Sequence, residues 1–169
     1  AGDALTAEAI VGLPSSVRII ATFSVGYEHV DVAAAAKRNI VVSNTPDVLT
    51  DATADIAMLC LLGAARRAHE GASMLRAHKW VGWTPTQLMG VHVTGKRLGI
   101  LGMGRIGQAL AERARAFRMT IHYSNRSRLP PNLEKGAIFH GDPEEMLGHC
   151  DFLSINAPMT AATRKWVNA

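Results

Sequence analysis

A glycine-rich segment at residues 97–107 constrains the fold of this chain more than any other feature of its sequence. The segment reads Arg-Leu-Gly-Ile-Leu-Gly-Met-Gly-Arg-Ile-Gly, and Gly102, Gly104 and Gly107 stand in the spacing G-x-G-x-x-G. A short apolar run enters these glycines, an amphipathic helical pattern leaves them, and a strand-like run at residues 119–123 follows directly. The order of strand, glycine turn, helix and strand is typical of a βαβ unit, which predicts a parallel sheet.

The three glycines have separate tasks if this segment binds a dinucleotide. Gly102 would make the tight turn, Gly104 would let the backbone approach a pyrophosphate, and Gly107 would let the helix pack closely on the strand. The start of the helix adds unpaired N–H groups and a partial positive charge for the phosphates. With 15 glycines in the chain the spacing alone is weak evidence, but its strand and helix context favours a dinucleotide site over a glycine turn that binds nothing.

The first half of the chain also alternates predicted strands with predicted helices. Residues 17–21 and 40–42 are short runs rich in β-branched residues, and between them Asp31 can cap a short helix. A long helix is predicted from Thr50 to about residue 69, whereas residues 70–93 show no clear period and are predicted to be irregular. This pattern predicts an α/β protein with parallel strands.

Composition excludes several classes of protein. The chain has 48% hydrophobic and 19% charged residues, which are globular values. Its longest uncharged apolar run, residues 56–65, is about half as long as the ~20 residues that span a membrane. The net charge is +4, but no basic run indicates a nucleic-acid partner. The two cysteines have neither disulfide nor metal-ligand spacing, so we expect a cytoplasmic protein without a metal, a membrane contact or bound nucleic acid.

Three segments carry a family resemblance when they are taken together. They are Thr-Pro-Asp-Val-Leu-Thr-Asp-Ala-Thr-Ala-Asp at residues 45–55, the glycine-rich run at residues 98–107, and Asn-Ala-Pro-Met-Thr at residues 156–160. In this order and spacing they resemble the D-isomer-specific 2-hydroxyacid dehydrogenases, and within that family the glyoxylate and hydroxypyruvate reductases. The resemblance implies a Rossmann-like, doubly wound parallel sheet that binds NAD(P) over residues 47–169, after part of a second, flavodoxin-like substrate lobe over residues 1–46.

The resemblance also implies which residues contact the ligands. Backbone N–H groups of the turn Ser24, Val25 and Gly26 would hold the substrate carboxylate, as an anion-binding nest does. Thr53 would lie near the nicotinamide. The other implied cofactor contacts are Gly102, Gly104, Arg105, Ile106 and Gly107 at the pyrophosphate, and Asn156, Ala157 and Pro158 beside the adenosine half.

The loop after residues 119–123 predicts which dinucleotide is preferred. An Asp or Glu about 20 residues beyond the glycines binds the ribose 2′-hydroxyl in NAD-specific sites, but no acidic residue lies between Glu112 and Glu134. Arg126 stands there instead, and a guanidinium binds a 2′-phosphate through paired, charge-assisted hydrogen bonds. We therefore expect NADP(H) to be preferred and NAD(H) to be possible; the alternative is a solvated loop without a ligand. The residues predicted to assist Arg126 are Ser124, Asn125, Ser127 and Arg128.

No catalytic residue is assigned within these 169 residues. The family that the chain resembles carries a catalytic arginine, glutamate and histidine downstream of the segment at residues 156–160, and those motifs do not occur here. We therefore expect the nucleotide-binding domain to be incomplete at its C-terminus, and the chain alone to be inactive. The seven histidines are interpreted as surface or structural side chains.

The activity that the resemblance implies is hydride transfer between NAD(P)H and a small 2-keto acid of the glyoxylate or hydroxypyruvate type, which gives a D-2-hydroxy acid. The alternative is a non-catalytic dinucleotide-binding fragment or sensor module. A downstream arginine motif, followed by a histidine near a proline, would favour the enzyme over the binding module.

Residues 51–90 predict an interface between two copies of the chain. The helix predicted there is apolar nearly all round over residues 56–65, which indicates a helix that is covered on every side in the intact protein. One lobe alone is not expected to supply that cover. Trp80 and Trp83 follow on the irregular stretch, and tryptophan is enriched in interface cores. Relatives in the resembled family pair through this region, so we expect a two-fold homodimer. The alternative is that both tryptophans cap the local core.

Overall fold

The computed structural model describes residues 4–160, 163–164 and 166. It divides into two compact units, Ala1–Leu49 and Thr50–Ala169. Each unit contains helices and a sheet, and every strand pairing among the described residues is parallel. The fold class is therefore the one that the sequence predicts, an α/β protein with parallel sheets.

The first unit is a two-stranded parallel sheet with two short helices. Its strands pair in the register Ile19 with Val41. Asp31 caps the second helix, because its side chain accepts a hydrogen bond from the N–H of Ala34 at 2.9 Å. The elements are α1 (Ala7–Val11), β1 (Ile19–Ala21), α2 (Val32–Lys37) and β2 (Val41–Ser43), and the buried core is Ile10, Val30, Ala35 and Ile40.

The second unit is built around a four-stranded parallel sheet. Its elements are α3 (Thr50–Ala65), α4 (Ala68–Arg76), β3 (Arg97–Leu101), α5 (Arg105–Ala116), β4 (Thr120–Ser124), α6 (Pro131–Glu134), β5 (Ile138–His140), α7 (Pro143–Leu147) and β6 (Phe152–Ile155). The strands lie in the order β5-β4-β3-β6. This is the 3-2-1-4 part of the doubly wound order, in which the strand order reverses between β3 and β6. Among the described helices, none combines the length and the hydrophobicity that a membrane span requires.

Strands β3 and β4 form the centre of this unit. In each strand every residue after the first is buried, as expected where other elements cover both faces of a central parallel strand. Arg113 of α5 pairs with Asp51 and Asp55 of α3, at 3.1 and 2.6 Å, which ties the two helices together. The residues that α5 buries in the core are Gly107, Leu110, Ala111 and Ala114.

The prediction of one helix from Thr50 to about residue 69 is wrong at the C-terminal end of that helix. α3 stops at Ala65, Arg67 adopts a left-handed backbone with a φ of 54°, and α4 then occupies part of the stretch predicted to be irregular. The N–H of Val91 donates to the carbonyl of Ala65 at 2.8 Å, and the lack of a side chain at Gly90 lets the chain approach that carbonyl. A segment distant in sequence therefore caps α3, and no local pattern indicates it.

Residues 51–90 leave large apolar side chains exposed in this chain. Ile56 and Leu59 of α3 are 58% and 62% exposed, although the sequence predicts a helix that is covered on every side. The described elements cover only one face of α3, so coverage of the other face by a second copy stays a prediction. Trp80 and Trp83 are 55% and 79% exposed, so neither is buried in the local core. The residues that α3 does bury are Ala54, Met58 and Ala65.

Candidate dinucleotide-binding site

The predicted cofactor residues of the glycine loop and of two further loops come together at one edge of the four-stranded sheet. β3 ends at Leu101, which lies in register with Ser124 of β4 and Ile155 of β6. The loops that leave these three strands therefore start side by side, where the strand order reverses. Open α/β sheets bind their ligands at this position. The loops hold Gly102, Gly104, Arg105, Ile106 and Gly107; Asn125, Arg126, Ser127 and Arg128; and Asn156, Ala157 and Pro158.

Two of the three glycines are needed for close backbone packing. Gly102 has a φ of +92°, and a Cβ there would lie 2.6 Å from the backbone nitrogen of Ala157. A Cβ on Gly107 would overlap the carbonyl oxygen of Gly102. At Gly104, by contrast, a Cβ would meet no described atom within 4 Å. The backbone at Gly104 thus faces open space, which leaves room for a ligand.

Helix α5 begins beside this open space. Gly104 is its N-cap and Arg105 its first residue, and no side chain in the described part of the chain caps it. The helix dipole places a partial positive charge at the backbone N–H groups of this first turn. This combination suits the phosphates of a dinucleotide.

The peptide groups between the first two glycines are held from two sides. The N–H of Met103 donates to Oδ1 of Asn125 at 2.7 Å, and the carbonyl of Met103 accepts from Nε2 of Gln108 at 3.2 Å. Met103 is itself buried, with 1% of its surface exposed. Asn125, which the sequence predicts to assist in binding a 2′-phosphate, is thus joined to the glycine loop.

The two arginines of the loop after β4 have different surroundings. Nε and Nη2 of Arg128 donate to the two carboxylate oxygens of Glu134, at 2.8 and 3.0 Å. Arg126 is exposed, and among the residues that the structure describes no acidic side chain pairs with it. Arg128 therefore braces the loop, whereas the guanidinium of Arg126 is available to a ligand.

Glu134 anchors this loop from inside the fold. It is 5% exposed, it accepts a hydrogen bond from the Tyr123 hydroxyl at 2.7 Å, and that hydroxyl accepts one from the N–H of Leu129 at 2.9 Å. The Arg128 guanidinium, followed by the Tyr123 hydroxyl, holds the pKa of Glu134 below its usual value, and burial raises the pKa of Tyr123. Glu134 is therefore a carboxylate whose charge Arg128 compensates, so it adds little repulsion toward an anion bound at the loop.

The predicted substrate loop lies in the first unit, after β1. Oγ of Ser24 donates to the carbonyl of Gly26 at 2.5 Å, and Nδ2 of Asn44 donates to the carbonyl of Val25 at 2.8 Å. The backbone N–H groups of Ser24, Val25 and Gly26 donate to no described residue, so the turn has the donors that an anion-binding nest requires. The carboxylate of Glu28 lies close to the position that a Cβ on Gly26 would occupy.

Thr53, predicted to lie near a nicotinamide, belongs to the first turn of α3. It is half-buried. Its neighbours Asp51 and Asp55 pair with Arg113 of α5. These ion pairs fix the start of α3 against the helix that follows the glycine loop.

A cluster of three histidines between β4 and α7 has no counterpart in the sequence predictions. Nδ1 of His122 lies 2.9 Å from Nε2 of His140, and the ring centroids of His122, His140 and His149 are between 5.2 and 5.9 Å apart. Burial, followed by repulsion from the other two histidines, lowers the pKa of His122. Only the strand register, which pairs Ser124 with His140, could have indicated the cluster. Within the described residues, no group of three or more His, Cys, Asp and Glu side chains is arranged to hold a metal ion.

Comparison with known proteins identifies relatives of this chain. Residues 58–169 match the model of a protein family described as D-isomer specific 2-hydroxyacid dehydrogenase, NAD binding domain. The chain is 45% identical over 163 residues to the glycerate dehydrogenase of Hyphomicrobium methylovorum, a match that covers 95% of this chain and 51% of that protein. It is 46% identical over 151 residues to the glyoxylate reductase of Thermococcus litoralis, with 87% of this chain and 46% of that protein covered. The chain thus spans about half the length of these relatives.

The fold is similar to that of a glyoxylate reductase from Paecilomyes thermophila. The crystal structure of that protein matches with a TM-score of 0.87 and 43% sequence identity. The match covers 95% of this chain and 48% of that chain. Together with the family match, this confirms the Rossmann-like parallel sheet that the sequence predicts.

Proposed function

Because the chain belongs to the D-isomer-specific 2-hydroxyacid dehydrogenase family, we propose that it is the dinucleotide-binding part of an oxidoreductase. The enzyme would transfer a hydride between NADP(H) and a small 2-keto acid of the glyoxylate or hydroxypyruvate type. The names of the relatives, a glycerate dehydrogenase and a glyoxylate reductase, support this substrate class. Residues 47–169 would hold the cofactor, and residues 1–46 would supply part of the substrate lobe. The proposed location is the cytoplasm, where free thiols such as those of Cys60 and Cys150 stay reduced.

The observation that carries this proposal is the open space at Gly104, at the N-terminus of α5. The backbone N–H groups of this turn would hold the pyrophosphate. Thr53 would lie near the nicotinamide, and residues 156–158 would border the adenosine half. When bound, the nicotinamide supplies or accepts the hydride. Residues 24–26 would hold the substrate carboxylate through their backbone N–H groups.

Preference for NADP(H) over NAD(H) rests on the charge of the loop after β4. An uncompensated carboxylate here would repel a 2′-phosphate, but the acidic side chain that contacts this loop, Glu134, is paired with Arg128. Arg126 supplies positive charge that no described side chain compensates, and its guanidinium matches a phosphate through two parallel hydrogen bonds. Ser124 is buried, so we expect it to contribute less than the exposed Ser127.

Calorimetric titration of the variant Arg126→Ala tests this preference. One charge-assisted hydrogen bond contributes about 1.5–3 kcal/mol, so NADPH should bind about tenfold more weakly or worse, while NADH should be almost unaffected. Arg76→Ala removes an exposed arginine from α4 and is the matched control, which should leave both affinities unchanged. A wild-type protein that binds NADH as tightly as NADPH, or an Arg126→Ala variant that loses both equally, would contradict the assignment.

The intact protein is further proposed to be a two-fold homodimer that pairs through residues 51–90. In this region Ile56 and Leu59 of α3 are exposed, and so are Trp80 and Trp83. Exposed tryptophan is typical of an interface, because aromatic residues are enriched in interface cores. A second copy would cover the face of α3 that the described elements leave open.

A further inference from the structure

One side chain joins two loops of the proposed site. Asn125 stands one residue beyond the end of β4, and its Oδ1 accepts the N–H of Met103 at 2.7 Å. Among the described residues, Met103 alone hydrogen-bonds to the Asn125 side chain. This bond fixes the orientation of the amide, because only its oxygen can accept. Nδ2 therefore points away from the glycine loop.

Gln108 holds the same residue from the other side. Its Nε2 donates to the carbonyl of Met103 at 3.2 Å. Gln108 is itself placed by α5, since its backbone N–H donates to the carbonyl of Gly104 at 2.9 Å. With its side chain buried as well, Met103 is held at three points.

Because peptide groups are planar, these two hydrogen bonds also fix the direction in which neighbouring backbone N–H groups point. The carbonyl of Met103 and the N–H of Gly104 belong to one planar group, so the bond from Gln108 sets where the Gly104 N–H points. The N–H of Met103 shares a plane with the carbonyl of Gly102, so the bond to Asn125 sets that plane too. Without these bonds the glycines would rotate more freely, and losing that freedom on binding would lower affinity.

We propose that Asn125 and Gln108 are positioning residues that hold the backbone of residues 102–104 in the orientation that receives a dinucleotide pyrophosphate. This inference rests on the proposed function and adds a coupling to it. The loop that would contact a 2′-phosphate through Arg126 also fixes the loop that receives the pyrophosphate. Asn125 should therefore affect the affinity for both dinucleotides, whereas Arg126 should affect the affinity for NADPH alone.

Two substitutions at Asn125 separate this role from a direct phosphate contact. Asn125→Ala removes the acceptor, and we expect the affinities for NADPH and NADH to fall together by about 2- to 10-fold, the range for one lost hydrogen bond. Adenosine 2′-monophosphate has a 2′-phosphate but no pyrophosphate, so its affinity should be unchanged in Asn125→Ala. Asn125→Asp keeps an oxygen that accepts the Met103 N–H, so NADH binding should be retained. Its carboxylate stands beside Arg126 and would repel a 2′-phosphate, so NADPH binding should be weaker.

The two hydrogen bonds that hold Met103, from its N–H to Asn125 and from Gln108 to its carbonyl, are called the clamp. Gln108→Ala removes the second of these bonds without disturbing the helix, because alanine has the highest helix propensity. We expect NADPH and NADH to weaken in parallel, as in Asn125→Ala. Amide hydrogen exchange reports on the clamp directly. The Met103 amide should exchange slowly in the wild type and in Asn125→Asp, and faster in Asn125→Ala.

The experiment is calorimetric titration of the 169-residue chain and these variants with NADPH, NADH and adenosine 2′-monophosphate. Parallel loss of both dinucleotides in Asn125→Ala, with NADH binding retained in Asn125→Asp, supports the inference. Loss of NADPH alone, loss of neither, or equally fast Met103 exchange in wild type and Asn125→Ala would overturn it. Failure of the NADP preference would appear instead in Arg126→Ala, because NADH affinity reports on the clamp whichever dinucleotide is preferred. A wild-type chain that binds neither dinucleotide would overturn both proposals.

Discussion

The nucleotide region, defined as residues 97–124, and the helical region, residues 51–90, differ in how completely the chain buries their apolar side chains. In the nucleotide region Leu110 and Tyr123 are fully buried, and none of its large apolar side chains is exposed. In the helical region Leu59 and Trp83 are 62% and 79% exposed. The first region is thus completed by contacts within the chain, whereas the second presents apolar surface that further protein could cover.

This difference follows from what each region can pack against. The strand, helix and strand of the nucleotide region are consecutive in sequence and form a βαβ unit. Its apolar faces are buried in one core that also includes Ala54 and Met58 of α3. The helical region contains α3, whose apolar residues lie all round the helix, while α5 and the adjoining segments cover one face only. Substitutions in the nucleotide region should therefore change the free energy of unfolding, whereas substitutions on the exposed face of the helical region should change the affinity between two copies.

The largest effect is expected from an added methyl group inside the nucleotide region. In Gly107→Ala the new Cβ would overlap the carbonyl oxygen of Gly102 and lie 3.2 Å from Cγ2 of Ile100, so α5 would have to move away from β3. We expect the free energy of unfolding to fall by about 2–3 kcal/mol, as in other overpacked cores, and NADPH binding to be lost. Urea unfolding followed by circular dichroism measures the first effect, and calorimetric titration measures the second.

Gly104→Ala makes the same chemical change at a position that faces open space. The φ of Gly104 is −75°, which alanine adopts readily, and its Cβ would meet no described atom within 4 Å. The free energy of unfolding should stay within about 1 kcal/mol of the wild-type value. NADPH affinity should nevertheless fall, because the methyl group would occupy space proposed for the pyrophosphate. Equal destabilisation by both substitutions would contradict the separate roles of the two glycines.

A substitution in the helical region is expected to weaken the proposed dimer rather than the fold of the single chain. Leu59→Glu places a charge on the exposed face of α3, where the proposed dimer would bury it without a partner. We expect the affinity between two copies of the intact protein to fall by about 100-fold or more. Because Leu59 is 62% exposed, the stability of the separate chain should hardly change. Sedimentation equilibrium measures the mass, and urea unfolding at low protein concentration measures the stability.

Val11→Glu is the matched control for this prediction. Val11 is 69% exposed on α1, in the first unit and outside residues 51–90, so its replacement should leave the dimer intact. NADPH binding by Leu59→Glu should also stay near the wild-type value, since the nucleotide region is complete without the interface. A wild-type protein that is monomeric at micromolar concentration, or dissociation by Val11→Glu, would argue against the proposed interface.

The parts of the fold that the sequence could predict are those whose causes are local. The spacing of Gly102, Gly104 and Gly107 stands between a short apolar strand and an amphipathic helix, and this order is confirmed in the structure. The cap at Asp31 is likewise a local signal, because its side chain bonds the N–H three residues on. The parallel, Rossmann-like sheet follows from such units and is confirmed as well. That these residues bind NADP(H) stays a prediction.

The parts that the sequence could not predict depend on pairs that only the folded chain brings together. The end of α3 is set by the Val91 N–H on the carbonyl of Ala65. Arg128 was predicted to assist a phosphate, but Glu134 already accepts two hydrogen bonds from it. The bond between Asn125 and Met103 joins two loops that leave different strands. None of these pairs leaves a periodic or compositional signal in the sequence.

The smallest expected effect is a loss of stability at acidic pH, and it should lower the local stability of the nucleotide region more than that of the helical region. His122 of β4 is buried against His140 and His149. Burial, followed by these two histidines and then Arg97, lowers the pKa of His122. The acidic side chain that faces the cluster is Glu145, whose carboxylate lies 3.6 Å from Nδ1 of His140.

Because the folded chain resists protonation of His122, the unfolded chain binds that proton first as the pH falls. The stability that His122 contributes is fully present above its unfolded pKa of about 6.5, and it is lost as the pH falls through the lowered folded value. The urea midpoint should therefore decrease below about pH 6.5, and amides of β4 should lose hydrogen-exchange protection before those of α3. His122→Gln should reduce this dependence, whereas His69→Gln on the exposed surface of α4 should not. A midpoint that stays constant down to about pH 5.5, or that falls equally in His122→Gln, would show that the acid response does not come from this cluster.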